Sequence, residues 1–114
     1  MTTMQAVFNG TVIAESDQTI VVEGNHYFPS SSLRADFIEP SATHTVCGWK
    51  GTASYYDVHV DGAVAHDGVW YYPDPSPEAT KVKDRVAFWK GVTVRVAAAS
   101  EEPASFQTPD GAVC

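Results

Sequence analysis

The chain has 114 residues with a formal net charge of -7, fourteen acidic side chains against seven Lys and Arg. That length suits one domain, and the 44% hydrophobic content supports a sizeable core. A chain this acidic, with no cluster of Lys or Arg, lacks the positive surface that phosphate backbones and anionic lipid headgroups require, so neither nucleic acid nor membrane is expected as a partner.

The first elements predicted are strands. Gln5–Phe8 and Thr11–Ala14 flank Asn9-Gly10, a strong short-range hairpin signal because both turn residues tolerate positive φ. Gln18–Glu23 reads as a third, β-branched strand that completes a meander. Tyr27-Phe28-Pro29 is extended, since proline keeps its predecessor out of the α region. Ser30–Arg34 can carry a short helical turn with Ser30 as N-cap, and Pro40 should stop whatever begins there.

Thr45–Cys47 reads as a short strand, turned by Gly48-Trp49-Lys50-Gly51 into the longest strand, Thr52–Val60. Period-two alternation places Tyr56, Val58 and Val60 on one face and Ala53, Tyr55, Asp57 and His59 on the other. Asp61-Gly62 and Asp67-Gly68 read as two further hairpin turns, the second leading into Val69–Tyr72. Pro73–Pro77 is a stiff connector, and Pro77 suits the first turn of a small helix ending near Lys81. Val86–Trp89 and Val92–Val96 read as a final strand pair around Gly91. The fold expected is mainly β, two packed antiparallel sheets with little helix, over residues 1–96. Residues 97–114 lack apolar periodicity and read as a disordered tail.

Several chemistries lack their residue sets. A structural zinc site needs four Cys or His in closely spaced pairs, whereas Cys47 stands apart from Cys114 and the four histidines show no ligand spacing, so no metal or other cofactor is expected. A disulfide between the two cysteines would tie the middle of the chain to its last residue, and nothing in the sequence demands one. Met1–Met4 has neither the charged nor the apolar region of a secretory leader. A reducing cytoplasm is therefore the expected compartment. Cys47 has two readings: a thiol activated by His44 or Lys50, or a small buried hydrophobe.

The aromatic residues between Trp49 and Tyr72 are the most informative feature. Alternation forces some rings into a core and others outward, where they need a cleft or an interface. Lys50 sits between Gly48 and Gly51, which allow backbone to approach a ligand. The candidate binding site is thus Lys50, Tyr55, Trp70 and Tyr72, with Cys47 beneath or beside them. Aromatic walls plus one cation suit a planar or anionic ligand. The competing reading makes these rings packing and Lys50 a solvated turn residue.

The run Thr45-Val46-Cys47-Gly48-Trp49-Lys50-Gly51-Thr52-Ala53-Ser54-Tyr55-Tyr56 resembles the central motif of a bacterial and fungal family of unknown function, also labelled a nucleotidyltransferase-type domain. Tyr27-Phe28-Pro29 and Trp70-Tyr71-Tyr72-Pro73-Asp74-Pro75 match that family's further motifs, so the likeness spans roughly Gln5 to Val96. Gly48 departs from the proline that usually follows the Cys. The resemblance implies a β-tent, two antiparallel sheets pinned at one edge, here without the Cys pairs through which relatives bind zinc. It does not itself supply the clustered carboxylates that nucleotidyl transfer requires, since Asp57, Asp61 and Asp67 form no recognised set. Three function classes follow: a module binding an unknown small molecule or peptide in an aromatic-walled cleft, an enzyme using Cys47 or Lys50, and an interaction domain whose aromatic patch forms a homodimer.

Overall fold

A computed structural model of the chain describes residues 2–97; the expectation for the tail beyond Ala97 lies outside them. Nine strands form two antiparallel sheets. They are β1 (Met4–Phe8), β2 (Thr11–Ser16), β3 (Ile20–Val22), β4 (Asn25–Pro29), β5 (Ile38–Cys47), β6 (Gly51–Val60), β7 (Ala63–Tyr71), β8 (Arg85–Phe88) and β9 (Thr93–Val96). The small sheet runs β2-β1-β9 and the large one β3-β4-β8-β7-β6-β5. Among the described residues helix is confined to short 3-10 segments at Ser30–Ser32, Ala35–Phe37 and Pro77–Val82. No helix among the described residues is long and apolar enough to cross a membrane.

Two-residue turns explain three hairpins. Asn9-Gly10, Glu23-Gly24 and Asp61-Gly62 all have positive φ at both positions, the twist that matches a right-handed strand pair. The predicted meander is corrected at its third strand. β3 pairs with β4 through the Glu23-Gly24 turn, while β1 takes β9 as its second neighbour. The predicted final pair is corrected in the same way. β8 lies between β4 and β7 in the large sheet, and β9 crosses to the small one. Lys90-Gly91, also at positive φ, redirects the chain between the sheets rather than closing a hairpin.

Pro40 does not end an element. It lies within the ten-residue β5, at the edge of the large sheet, beside a register irregularity between Pro40 and His44. An edge strand can accept a residue with no N–H to give.

Asp67-Gly68 is likewise not a hairpin turn. β7 continues through it, pairing Val69 with Tyr56 and Ala65 with Val58, so three residues of β7 oppose one of β6. This is a β-bulge, with Asp67 at φ 56°. Gly68 is required there by packing, because a Cβ would stand 2.9 Å from the Ala65 Cβ and 3.2 Å from the Ala65 carbonyl oxygen. Gly68→Ala is expected to cost about 1–3 kcal/mol in urea unfolding, since the backbone must shift to admit the methyl. An unchanged midpoint would mean the bulge yields freely.

Each face of the large sheet carries a buried core. One packs on the small sheet and joins Met4, Ala6, Ile13 and Val94 to Phe28, Val58, Val69 and Phe88. The other holds Tyr27, Tyr55, Trp70, Tyr72 and Ala87, covered by Ala79 and Val82 of the Pro77–Val82 segment. The alternation predicted for β6 holds, with Tyr56, Val58 and Val60 against the first core and Ala53 and Tyr55 in the second. Tyr55 is buried, because the chain after Pro73 folds back over its face.

Candidate functional site

The five residues expected to form a cleft do come together, but as a closed cluster. Lys50, Trp70, Tyr72, Tyr55 and Cys47 are all buried, Lys50 at 0% exposure. The Gly48–Lys50 turn is clamped from above by the proline-rich connector. Ser76 N donates to the Lys50 carbonyl at 3.0 Å, and Ser76 Oγ donates to the Trp49 carbonyl. A Cβ on Gly51 would stand 3.3 Å from the Asp74 carbonyl oxygen, so this close approach depends on glycine.

Lys50 is therefore not a solvated turn lysine. Its Nζ lies 5.2 Å from the Tyr72 ring centroid, 5.4 Å from that of Trp49 and 6.0 Å from that of Tyr27. It donates to Tyr27 Oη at 3.5 Å and pairs with Glu23 Oε1, while Trp49 Nε1 donates to Glu23 Oε2 at 3.3 Å. The faces of the rings and one carboxylate replace the water that a buried ammonium loses. Trp70 completes the arrangement by donating Nε1 to Tyr27 Oη at 3.1 Å, edge-on to that ring. The carboxylate of Glu23 occupies the position that the sequence reading assigned to an anionic ligand.

Cys47 is buried and disulfide-bonded, with its partner outside the described residues. It offers no thiolate in this state, which removes the group that a Cys47-dependent reaction needs. Among the described residues the exposed aromatic is Trp49, at 39%.

An open cleft lies on the opposite face of the same strands. It holds about 380 Å³ and is bounded by Tyr56, Tyr71, Leu33, Ile38 and Arg85, with Tyr72 and Pro73 at one end. Tyr56 and Tyr71 stack in parallel, centroids 4.8 Å apart and planes 16° apart. Burial pushes the Tyr71 phenol up to about 12, with hydrogen bonding to Tyr56 adding to the shift and Ser54 opposing it. Arg85 anchors one arm of its guanidinium, donating from Nη1 to the carbonyls of Gln18 at 2.7 Å and Tyr27 at 3.2 Å.

Alternation in the sequence places Tyr56 on one face with Val58 and Val60 and gives no sign of this cleft. Tyr56 and Tyr71 pack against the first core, yet both are half-buried, and their edges form the cleft wall. The cross-strand step from Tyr56 to Val69 and Tyr71 carries the signal, and it becomes readable once the bulge at Asp67-Gly68 is placed.

The tyrosines also set an alkaline limit. Burial raises Tyr27 to about 12 as well, with Glu23 adding to it and the Trp70 bond opposing it, and it raises Tyr72 further still. A folded-state pKa above the unfolded value means that the native state holds the proton longer. That contribution is complete below pH 10 and is lost as pH rises toward 12. Phenolate absorbance is expected to appear for these residues together with unfolding in that window. Titration of Tyr27, Tyr71 and Tyr72 near pH 10 with the fold intact would contradict it.

The fold is thus an all-β domain of two antiparallel sheets, with a closed aromatic cluster on one face of the larger sheet and an open cleft on the other. Residues 1–101 match the family model described as a domain of unknown function, DUF427, labelled NTP_transf_9, and the chain belongs to that family. No curated protein matches it.

Proposed function

We propose that the chain is a small-molecule-binding module and that its binding site is the Tyr56–Tyr71 cleft, taking a planar ligand with an anionic group. The observation that carries this reading is the meeting of a stacked tyrosine pair with a partly committed guanidinium in one concavity of about 380 Å³. That size lies in the range of small-ligand sites, which are largely apolar with a few placed polar groups. Leu33, Ile38 and the tyrosine rings supply contact area, and Arg85 supplies a forked donor suited to a carboxylate. The closed cluster is read as the support beneath it, since Tyr72 belongs to that cluster and also reaches the cleft wall.

The test is a thermal-shift screen with planar carboxylates such as benzoate, 4-hydroxybenzoate and indole-3-acetate. A ligand that binds the folded state raises the melting temperature by mass action. A positive shift is expected that shrinks in Tyr56→Leu and Arg85→Gln. No shift with any of these compounds, or a shift that both variants retain, would overturn the assignment.

A further inference from the structure

The β7 bulge brings together residues that are dispersed in sequence. Asp57 follows Tyr55 on the outer face of β6, and the bulge sets His66 and Asp67 against it. One potential ligand atom from each of the three lies within 4.8 Å of the other two. His66 Nδ1 is 2.9 Å from Asp57 Oδ1, and His66 Nε2 is 3.4 Å from Asp67 Oδ2. We infer that His66 and Asp67, backed by Asp57, form a binding site for one divalent transition cation, of the zinc or manganese class.

Three features of the geometry point there. Ligands held about 2.1 Å from a tetrahedral ion lie about 3.4 Å apart. The separation of His66 Nε2 from Asp67 Oδ2 has that value, which is long for a hydrogen bond. The other ring nitrogen faces a carboxylate at hydrogen-bond distance. That is the arrangement by which an outer carboxylate fixes the tautomer of a metal-bound imidazole and raises its basicity. Asp57 also keeps a carboxylate oxygen within 4.8 Å of the other two ligand atoms, which sets a second negative charge near the ion.

The carboxylate of Asp67 is also held in place from behind. Ser41 Oγ donates to its Oδ1 at 2.5 Å, leaving Oδ2 for the imidazole side. The Asp67 N–H donates to Asp57 Oδ1 at 2.8 Å, and Trp89 Nε1 donates to the Asp67 carbonyl at 2.6 Å. Asp67 is 8% exposed, so its charge is largely removed from water. Among the described residues neither carboxylate pairs with a Lys or Arg, and His66 is their partner. A neutral imidazole leaves two carboxylates without a compensating cation, and a divalent ion supplies that charge while using the imidazole as a ligand. His66 is 72% exposed on its side chain, which leaves an entry path and room for water to complete the shell.

The site is tested with the metals themselves. Zinc and manganese chlorides are titrated into the full, chelator-treated chain by calorimetry, with magnesium for comparison. Saturable binding of one zinc or manganese per chain is expected, with magnesium weaker. His66→Ala changes an exposed side chain, so it should fold normally and lose the binding. Asp57→Asn should weaken it by about tenfold or more if the carboxylate orients the ring. His59→Ala is the control, since His59 pairs with Glu39 at 3.0 Å outside the cluster and should change nothing. Manganese should broaden the His66 ring resonances before those of His44 or His59. The inference is overturned if neither zinc nor manganese saturates one site, if His66→Ala retains the binding, or if the broadening centres on another histidine. In each of those outcomes His66 is a hydrogen-bonding neighbour of the two carboxylates and not a ligand.

Discussion

Glu23→Ala is expected to destabilise the fold by about 3 kcal/mol in chemical unfolding, whereas Lys50→Met should cost less than about 1 kcal/mol. The asymmetry follows from where the two charges sit. Lys50 is fully buried, and the Glu23 side chain is about a third exposed at 33%. Removing Glu23 takes away the carboxylate that pairs with a fully buried ammonium lying among the rings of Tyr72, Trp49 and Tyr27. Removing Lys50 leaves a carboxylate that can turn toward water, while methionine fills most of the vacated volume and keeps the contact with Tyr72 and Trp49. Glu23 also holds a positive φ of 56° in a turn where Asn would be less strained. Glutamate at that position is explained by its reach to Lys50 and Trp49. The double variant should therefore be more stable than Glu23→Ala itself. If Lys50→Met costs as much as Glu23→Ala, the ammonium stabilises in its own right and the asymmetry argument fails.

Much of the architecture is legible in the chain because Asx-Gly pairs and alternation are local signals. Asn9-Gly10 and Asp61-Gly62 read directly as hairpins, and β6 shows its two faces. Glu23-Gly24 does not read as a turn, because glutamate is a poor match to positive φ and its reason for being there lies 27 residues away at Lys50. The pairing of β9 with β1 is similarly invisible, since nothing local in Val92–Val96 states which sheet it joins. Pro40 was misread for a different reason. Its effect depends on whether the strand lies at an edge, and that is a property of the assembled sheet.

The candidate site was legible as a set of residues and not as an opening. Glycines around Trp49-Lys50 correctly indicated close backbone approach, but what approaches is the chain's own connector at Asp74–Ser76. Asp57, Asp61 and Asp67 form no recognised set in the sequence, and Asp67-Gly68 reads there as a hairpin turn. The same dipeptide used as a bulge lets β7 continue beside β6 in a shifted register and turns Asp67 toward Asp57. A one-sequence reading cannot separate those two uses, since the same residue types favour both.

Trp70→Ala should give the other large effect, a loss of about 4 kcal/mol, at the upper part of the range for deleting a buried aromatic. Trp70 is 0% exposed and stands edge-on to Tyr27 at 6.2 Å and to Trp89 at 5.2 Å between centroids. The bulge fixes it on the second core's face, and the Pro77–Val82 segment seals the far side, so little can collapse into the space. Trp70→Phe separates packing from hydrogen bonding. It keeps most of the ring contact but removes the donor to Tyr27 Oη, and about 1–2 kcal/mol should be lost. The two variants also differ in a spectroscopic readout. The Trp70 bond holds the Tyr27 phenol lower than burial by itself would. Its loss in Trp70→Phe should move Tyr27 ionisation to still higher pH while the fold persists. A shift toward pH 10 instead would mean that the substitution lets water reach Tyr27, and that the cluster is an openable cavity and not a packed support for the cleft.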